Sequence, residues 1–306
     1  MRTGWIVNLL LVLGVGALAF YALYKPKQEA AGPQHAISTL APSAVKRVRV
    51  EPQSGTSLEL QKEGEGWFLV QPLRARADRI QVERLLDLLK ARSKEQLAAT
   101  ELQRFDLDQP ALRVRFDDHT IAFGTTNPLS SDQYVLSGSS VFLLPAFYRA
   151  QVPDRPERVL THALFRPGEK PTAFRFRTFS VEQRDGKWQV LPATGKEAPS
   201  QDDFNRWVDD WKLASSLLTQ PVREKTAAPE SVEVALAGGG KLTLGIVQRS
   251  PQLILLRSDE KLLFHFSEEL RDRLLTAPAV PESSAAASGT APAPAAASGT
   301  APAPAR

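Results

Sequence analysis

Apolar and polar positions in this chain follow two periods, and the same succession of periods occurs twice. Val48 and Val50 alternate with Arg47, Arg49 and Glu51, and Leu58 and Leu60 alternate with Glu59 and Gln61. That period of two is the mark of half-buried strands. Gly64-Glu65-Gly66 supplies a turn before the strand GWFLVQP, which Pro72 ends. The period then changes: Asp78 and Gln81 open a helix with the apolar stripe Val82, Leu85, Leu86 and Leu89. Paired strands follow, LRVRF with TIAFG and QYVLS with VFLLP.

The second passage has the same order. Asp185-Gly186 precedes the strand of Trp188, which Pro192 ends; Ser200 and Asp203 then start a helix with the stripe Phe204, Trp207, Val208 and Trp211. VEVAL with KLTLG and QLILL with KLLFHF come next, and Ser267 to Leu275 reads as a short amphipathic helix. Trp67 and Trp188 are 121 residues apart, Leu89 and Trp211 122, Val114 and Val234 120, and Gly124 and Gly245 121. The pattern predicts two tandem copies of one unit, 45–150 and 172–276, joined by a proline-bearing connector 151–171. Antiparallel sheets with one covering helix per unit give an α+β class.

The flanks differ in kind. Trp5 to Tyr24 is an uncharged run of twenty residues, enough for a helix to span about 30 Å of hydrocarbon. A cleavable signal peptide is the competing reading, with Ala17-Leu18-Ala19 as its cleavage site. The apolar run continues past that site, which favours an uncleaved transmembrane signal anchor over 1–24. A long hydrophilic region behind one N-terminal span is usually exported. The expected place is therefore a bacterial inner membrane, crossed once, with the bulk of the chain in the periplasm. Residues 25–44, with Pro26, Pro33 and Pro42, read as a flexible tether. In 277–306 the run AAASGTAPAP occurs twice, at Ala285 to Pro294 and Ala295 to Pro304, and reads as a disordered spacer.

Composition narrows the chemistry. The 306 residues are 42% hydrophobic and 24% charged, which suits a globular core. There is no cysteine, which removes disulfides, thiolate metal sites, cysteine nucleophiles and a lipoprotein anchor. Thirty-eight Lys and Arg against thirty-four Asp and Glu leave +4, too mild to point to nucleic acid. His35, His119, His162 and His265 lack the spacing of a metal-ligand set. Asp106, Asp108, Asp117, Asp118, Asp202, Asp203, Asp209 and Asp210 read first as turn and helix-start residues. Gly238-Gly239-Gly240 lies between strands and reads as a hairpin turn, not a phosphate loop. Trp207 and Trp211 share their stripe with Phe204 and Val208, so core packing is preferred over a ligand platform. No catalytic, cofactor-binding or metal residue is assigned, and no cofactor is expected. Arg47, Arg49, Arg113, Arg115, Arg175 and Arg177 alternate with apolar residues on strands. If those strands adjoin, they form a ridge for anionic lipid or glycan; the plainer reading is a solvated sheet face.

The residues Trp67, Pro72, Ala77-Asp78, Leu85-Leu86, Leu89, FDLDQP at Phe105 to Pro110, Phe123-Gly124 and Tyr134-Val135 resemble a bacterial family, the domain of unknown function numbered 4340. The likeness is clear over the first unit and weaker over the second, and it departs at Asp106, where glycine is expected. It implies a membrane-anchored envelope protein, some members of the family accompanying ABC transporters of the gliding-motility type. It implies no catalytic residues. The expected function is thus a membrane-anchored binding or scaffolding module of an envelope complex, with transporter subunits among the candidate partners. Two alternatives stand: a periplasmic glycan-acting enzyme using Asp106, Asp108, Asp117 or Asp118, and a binder of anionic lipid or polymer.

Overall fold

The computed structural model describes residues 13–16, 20, 34–192, 199–222 and 226–278. The anchor expected over 1–24 lies outside them except for 13–16 and 20, which are helical; 25–33 of the tether and 279–306 of the tail also lie outside. Among the described residues no helix is long and apolar enough to cross a membrane. The architecture is α+β: antiparallel sheets with a few helices. The chain divides into two compact units, Met1–Trp67 with Ile80–Arg155, and Phe68–Arg79 with Pro156–Arg306.

The strands of the first half are β1 (His35–Ala36), β2 (Arg47–Pro52), β3 (Leu58–Glu63), β4 (Gly66–Gln71), β5 (Ala75–Arg76), β6 (Arg92–Ser93), β7 (Gln96–Ala98), β8 (Leu112–Phe116), β9 (His119–Thr126), β10 (Gln133–Ser137) and β11 (Ser140–Leu144). Helices α1 (Arg79–Leu86) and α2 (Phe147–Gln151) belong to the same half. Within the first unit the strands run β3-β2-β8-β9-β10-β11-β7, every neighbour antiparallel. Period-two spacing dictates what is buried: Val48, Val50, Leu58, Leu60, Val114, Phe116, Ile121 and Phe123 point to one face and form its core. The helical stripe contributes Val82, Leu85 and Leu86, and the 3₁₀ turn Asp87–Lys90 that follows adds Leu88 and Leu89.

The expected tether ends earlier than 44. β1 pairs with β6, and Ile37, 3% exposed, donates its amide to the Ala91 carbonyl. One buried isoleucine and a Pro42–Ala44 3₁₀ turn dock this stretch, a signal too sparse to show as periodicity.

In the second unit come β12 (Pro171–Arg175), β13 (Ser180–Arg184), β14 (Lys187–Leu191), β15 (Leu218–Pro221), β16 (Glu230–Leu236), β17 (Lys241–Gln248), β18 (Leu253–Arg257) and β19 (Leu262–Phe266), with helices α3 (Gln201–Lys212) and α4 (Glu268–Leu275). The eight-stranded antiparallel sheet runs β14-β13-β12-β16-β17-β18-β19-β15. From β13 to β15 its order matches β3 to β7 of the first unit, strand for strand. In both, the ladder slips one register late in the second central strand, between Gln133 and Val135 opposite β9 and between Ile246 and Gln248 in β17.

Helix α3 starts with a capping box: Ser200 Oγ accepts from the Asp203 amide at 3.2 Å, and the Asp203 carboxylate accepts from the Ser200 amide at 3.0 Å. Its stripe is core, as the spacing predicts. The rings of Phe174 and Trp207 lie 5.0 Å apart edge to face, and the indole N–H groups of Trp207 and Trp211 donate to the carbonyls of Thr276 and Leu274.

The expected connector 151–171 is packed into the fold. Val152, Val159, Leu160, Leu164 and Phe165 are buried. Part of it also holds a piece of chain from far upstream: Asp78 donates its amide to the Val159 carbonyl and Thr161 donates to Arg76, so Phe68–Arg79 is stitched into the second unit. There β4 and β5 pair Phe68 with Arg76 and Leu69 with Ala75.

Candidate functional site

The outward face of the first unit's sheet is read along two rows of directly opposed residues. One row runs Glu51, Arg113, Ala122, Leu136, Val141, Leu97, from charged to apolar. Its apolar end is covered. Leu107, Ala122 and Val141 form a buried cluster, with Ala99, Leu102, Phe105, Tyr134 and Leu136 packed against it. Gly124 makes that cover possible, because a Cβ there would sit 2.0 Å from the Phe105 carbonyl oxygen. Gly245 does the same in the second unit, where a Cβ would come within 2.6 Å of the Ala228 Cβ.

The charged end is open. The second row runs Glu59, Arg49, Arg115, Thr120. Glu59, 7% exposed, takes both Arg49 (2.7 Å) and Arg47 (3.3 Å), and the hydrogen bond from Arg49 raises that guanidinium's pKa. Arg113 and Arg115 are exposed and, among the described residues, their guanidiniums make no hydrogen bond or ion pair. Arg115 stands directly opposite Arg49, and like charges in that position repel. Four of the six expected arginines thus share one face.

The other two do not extend it. Arg175 ends β12 and pairs with Glu182 at 3.0 Å; Arg177 lies in the turn closed by the Phe176 amide on the Phe179 carbonyl. The positions matching Arg49 and Arg115 are Ala173 and Ala235, and Arg175 faces Glu233 across the ladder. The ridge belongs to the first unit alone because the second unit's partner strand carries glutamate and alanine where β8 carries arginine.

Other candidates hold the fold. Asp117 Oδ1 accepts from the Arg47 amide (2.9 Å) and Oδ2 from the Lys46 amide (3.1 Å); Asp106, Asp108 and Asp118 are exposed. Asp203 is the cap already described, and Asp210 pairs with Arg273. His119 hydrogen-bonds Ser137, and burial pushes its pKa down, as it does for His265. His162 Nδ1 lies 3.2 Å from Ser216 Oγ, which resembles a nucleophile and its base. The proton direction is wrong for that. Thr219 donates to the Thr161 carbonyl, so Ser216 must donate to Thr219 and accept from His162.

Sequence reasoning passed over a buried ionic cluster in the second unit. Arg257, 0% exposed, makes a bidentate pair with Glu169 (2.6 and 2.9 Å) and also donates to the Leu164 carbonyl and Asp259. Arg76 grips Glu260 at 2.7 and 2.9 Å and donates to the carbonyls of Ala163, Leu164 and Phe165. Arg166 joins Glu260 and Asp259 at the rim. Burial, the largest single influence, works toward neutral Glu169 and Asp259, but the hydrogen bonds from Arg257, backbone amide bonds and the charges of Arg257 and Arg166 together outweigh it and hold both below the usual carboxylate range. Burial likewise opposes the Arg257 charge, and its bonds to Glu169 and Asp259 overcome this and raise its pKa. One signal was legible: Arg257 continues the inward register of Leu253 and Leu255.

Among known families, the model for a domain of unknown function, DUF4340, matches residues 67–226, just over half of the chain. The chain belongs to the DUF4340 family. No curated protein and no solved structure matches it. The DUF4340 match takes in Arg113 and Arg115 but stops short of Arg257. Its physical logic is visible at Asp106, which adopts the left-handed conformation at φ 52° that glycine takes without cost and aspartate tolerates. The FDLDQP stretch of this DUF4340 chain is therefore a structural cover: the Phe105 ring lies 4.4 Å from that of Tyr134, tilted by 37°, and Leu107 fills the cluster beneath.

Proposed function

We propose that this DUF4340 chain is a single-span bacterial inner-membrane protein whose folded part, in the periplasm, is a protein-binding module of an envelope complex, with ABC-transporter subunits as its partners. On this reading the two units descend from one α+β unit copied in tandem. The shared strand order and the paired roles of Gly124 and Gly245 support that descent.

The observation that carries the binding reading is a rigid apolar display in the second unit. Leu213 and Leu217 are 79% and 65% exposed. Their segment is fixed on both sides: the Leu164 amide donates to Ala214, the Ser216 amide to His162 and the Leu217 amide to His265. Two leucines held out on an ordered backbone lose little entropy on docking, which is how a few apolar anchors come to dominate an interface. The glycan-enzyme reading has less support, since Asp117 is engaged with backbone amides and Asp106, Asp108 and Asp118 stand exposed.

Crosslinking in native membranes, followed by identification of what co-purifies, tests the proposal. A specific envelope neighbour is expected with the parent chain and is lost in Leu213→Asp/Leu217→Asp. Recovery of the same neighbour with the double variant, or of none with the parent, overturns it. A reporter fused after Arg306 that is active only in the cytosol overturns the placement.

A further inference from the structure

We infer that the open arginine face of the first unit, Arg113 and Arg115 with Arg47 and Arg49 beside them, binds the phosphate headgroups of anionic lipid in the membrane from which the chain emerges. This rests on the membrane-anchored part of the function proposed above and is independent of the partner proposed for Leu213 and Leu217.

Three observations lead there. The first is local cost. Placing Arg115 opposite Arg49 is unfavourable, and nothing in the fold needs it: the matching positions of the second unit are Ala173 and Ala235. The second is imbalance. Four arginines share the face with two carboxylates: Glu59 takes Arg47 and Arg49, Glu51 lies 3.8 Å from Arg49, and the guanidiniums of Arg113 and Arg115 make no ion pair among the described residues. Guanidinium binds phosphate oxygens in a planar, two-bond fashion.

The third is position. Nine residues, 25–33, separate Tyr24, the end of the expected span, from Gln34, where the described fold begins. Even fully extended, the ten Cα-to-Cα steps from Tyr24 to Gln34 reach no more than about 35 Å. The first unit is held at the bilayer surface at that range, so weak contacts are enforced by a high effective concentration. The same reasoning selects lipid over an acidic protein. Unpaired, solvated arginines on an open sheet face suit a fluid layer of headgroups, whereas a shaped protein epitope calls for fixed side chains. Anionic headgroups attract such clusters, and salt weakens the attraction.

The absence of cysteine makes the test clean, because one introduced thiol is the only label site. Thr120 lies on the same face, directly opposite Arg115. Full-length Thr120→Cys carrying a fluorophore is reconstituted in vesicles of phosphatidylcholine alone, or of phosphatidylcholine with phosphatidylglycerol, each containing a headgroup-linked quencher. Several-fold stronger quenching is expected with phosphatidylglycerol. It should fall to the phosphatidylcholine level in 1 M salt, where the Debye length is about 3 Å, and in Arg113→Gln/Arg115→Gln. Arg113→Lys/Arg115→Lys should retain most of it, which separates charge from any loss of folding. Equal quenching in the two vesicle types, or quenching that survives the Gln variant, overturns the inference. A chain that fails to float with either vesicle overturns the anchor instead, so the two failures are told apart.

Discussion

At the scale of single residues, Gly124 and Gly245 are the positions where one methyl group decides packing. Neither has positive φ, so backbone strain is not the issue. The issue is space: an added Cβ meets a carbonyl oxygen at 2.0 Å in the first case and the rigid Ala228 methyl at 2.6 Å in the second. Overpacking of this kind costs about 1–3 kcal/mol, and more where backbone must move. Gly124→Ala and Gly245→Ala should each lower the melting temperature by several degrees, Gly124→Ala by more. A melt unchanged in either variant would show that the covering segment yields. By contrast Gly138, with φ 59° and open space around it, is needed for its turn conformation and not for room.

Among elements, the turn after β18 carries the heaviest electrostatic load, and its response to pH follows from signs. Glu169 and Asp259 have folded pKa values below their ordinary ones, so their pairing stabilises the fold above the ordinary carboxylate range and is lost as pH falls through the folded values. His119 and His265 are held neutral by burial, so each opposes protonation of the folded state once pH drops below about 6.5. Thermal melts should be flat near neutrality, decline gently below about pH 6.5, and fall steeply below about pH 4. In Arg257→Met the protein at pH 7 should lose about 3 kcal/mol, because half-buried Glu169 and buried Glu260 lose a neighbouring cation. A steep acid limb of undiminished size in that variant would mean the cluster is not its source.

These elements also show what the chain reveals about itself. Strands and the α3 stripe were readable because one face of each is buried and periodicity reports burial directly. The Arg47, Arg49, Arg113 and Arg115 face was readable for the same reason, since alternation fixes which side they take. Adjacency was not: that Arg113 and Arg115 stay unpaired while Arg175 meets Glu182 depends on register. The ionic cluster was hidden because Arg76 and Glu260 stand 184 residues apart and neither breaks a local pattern.

Over the whole molecule, chain order and spatial order part company at Phe68–Arg79. This stretch lies inside 45–150, the first of the two units expected from the sequence, yet it belongs to the second compact unit. A fragment starting at Pro156 therefore lacks Arg76, and with it the donor to Glu260 and to three backbone carbonyls at 163–165. Such a fragment should show weak protection in hydrogen exchange around Ala163–Phe165, and the same region should be weakened in full-length Arg76→Met. Protection equal to that of the parent chain in both would show the stitch to be dispensable. The arrangement also sets a timetable during synthesis. Arg76 leaves the ribosome 184 residues ahead of the glutamate that will hold it. At about 5–20 residues per second that is a wait of roughly 10–40 s. Until Val159 and Thr161 follow, roughly 85 residues behind it, the far side of that stretch is a nascent, unclaimed edge, and it is there that a chaperone or a protease would meet this protein first.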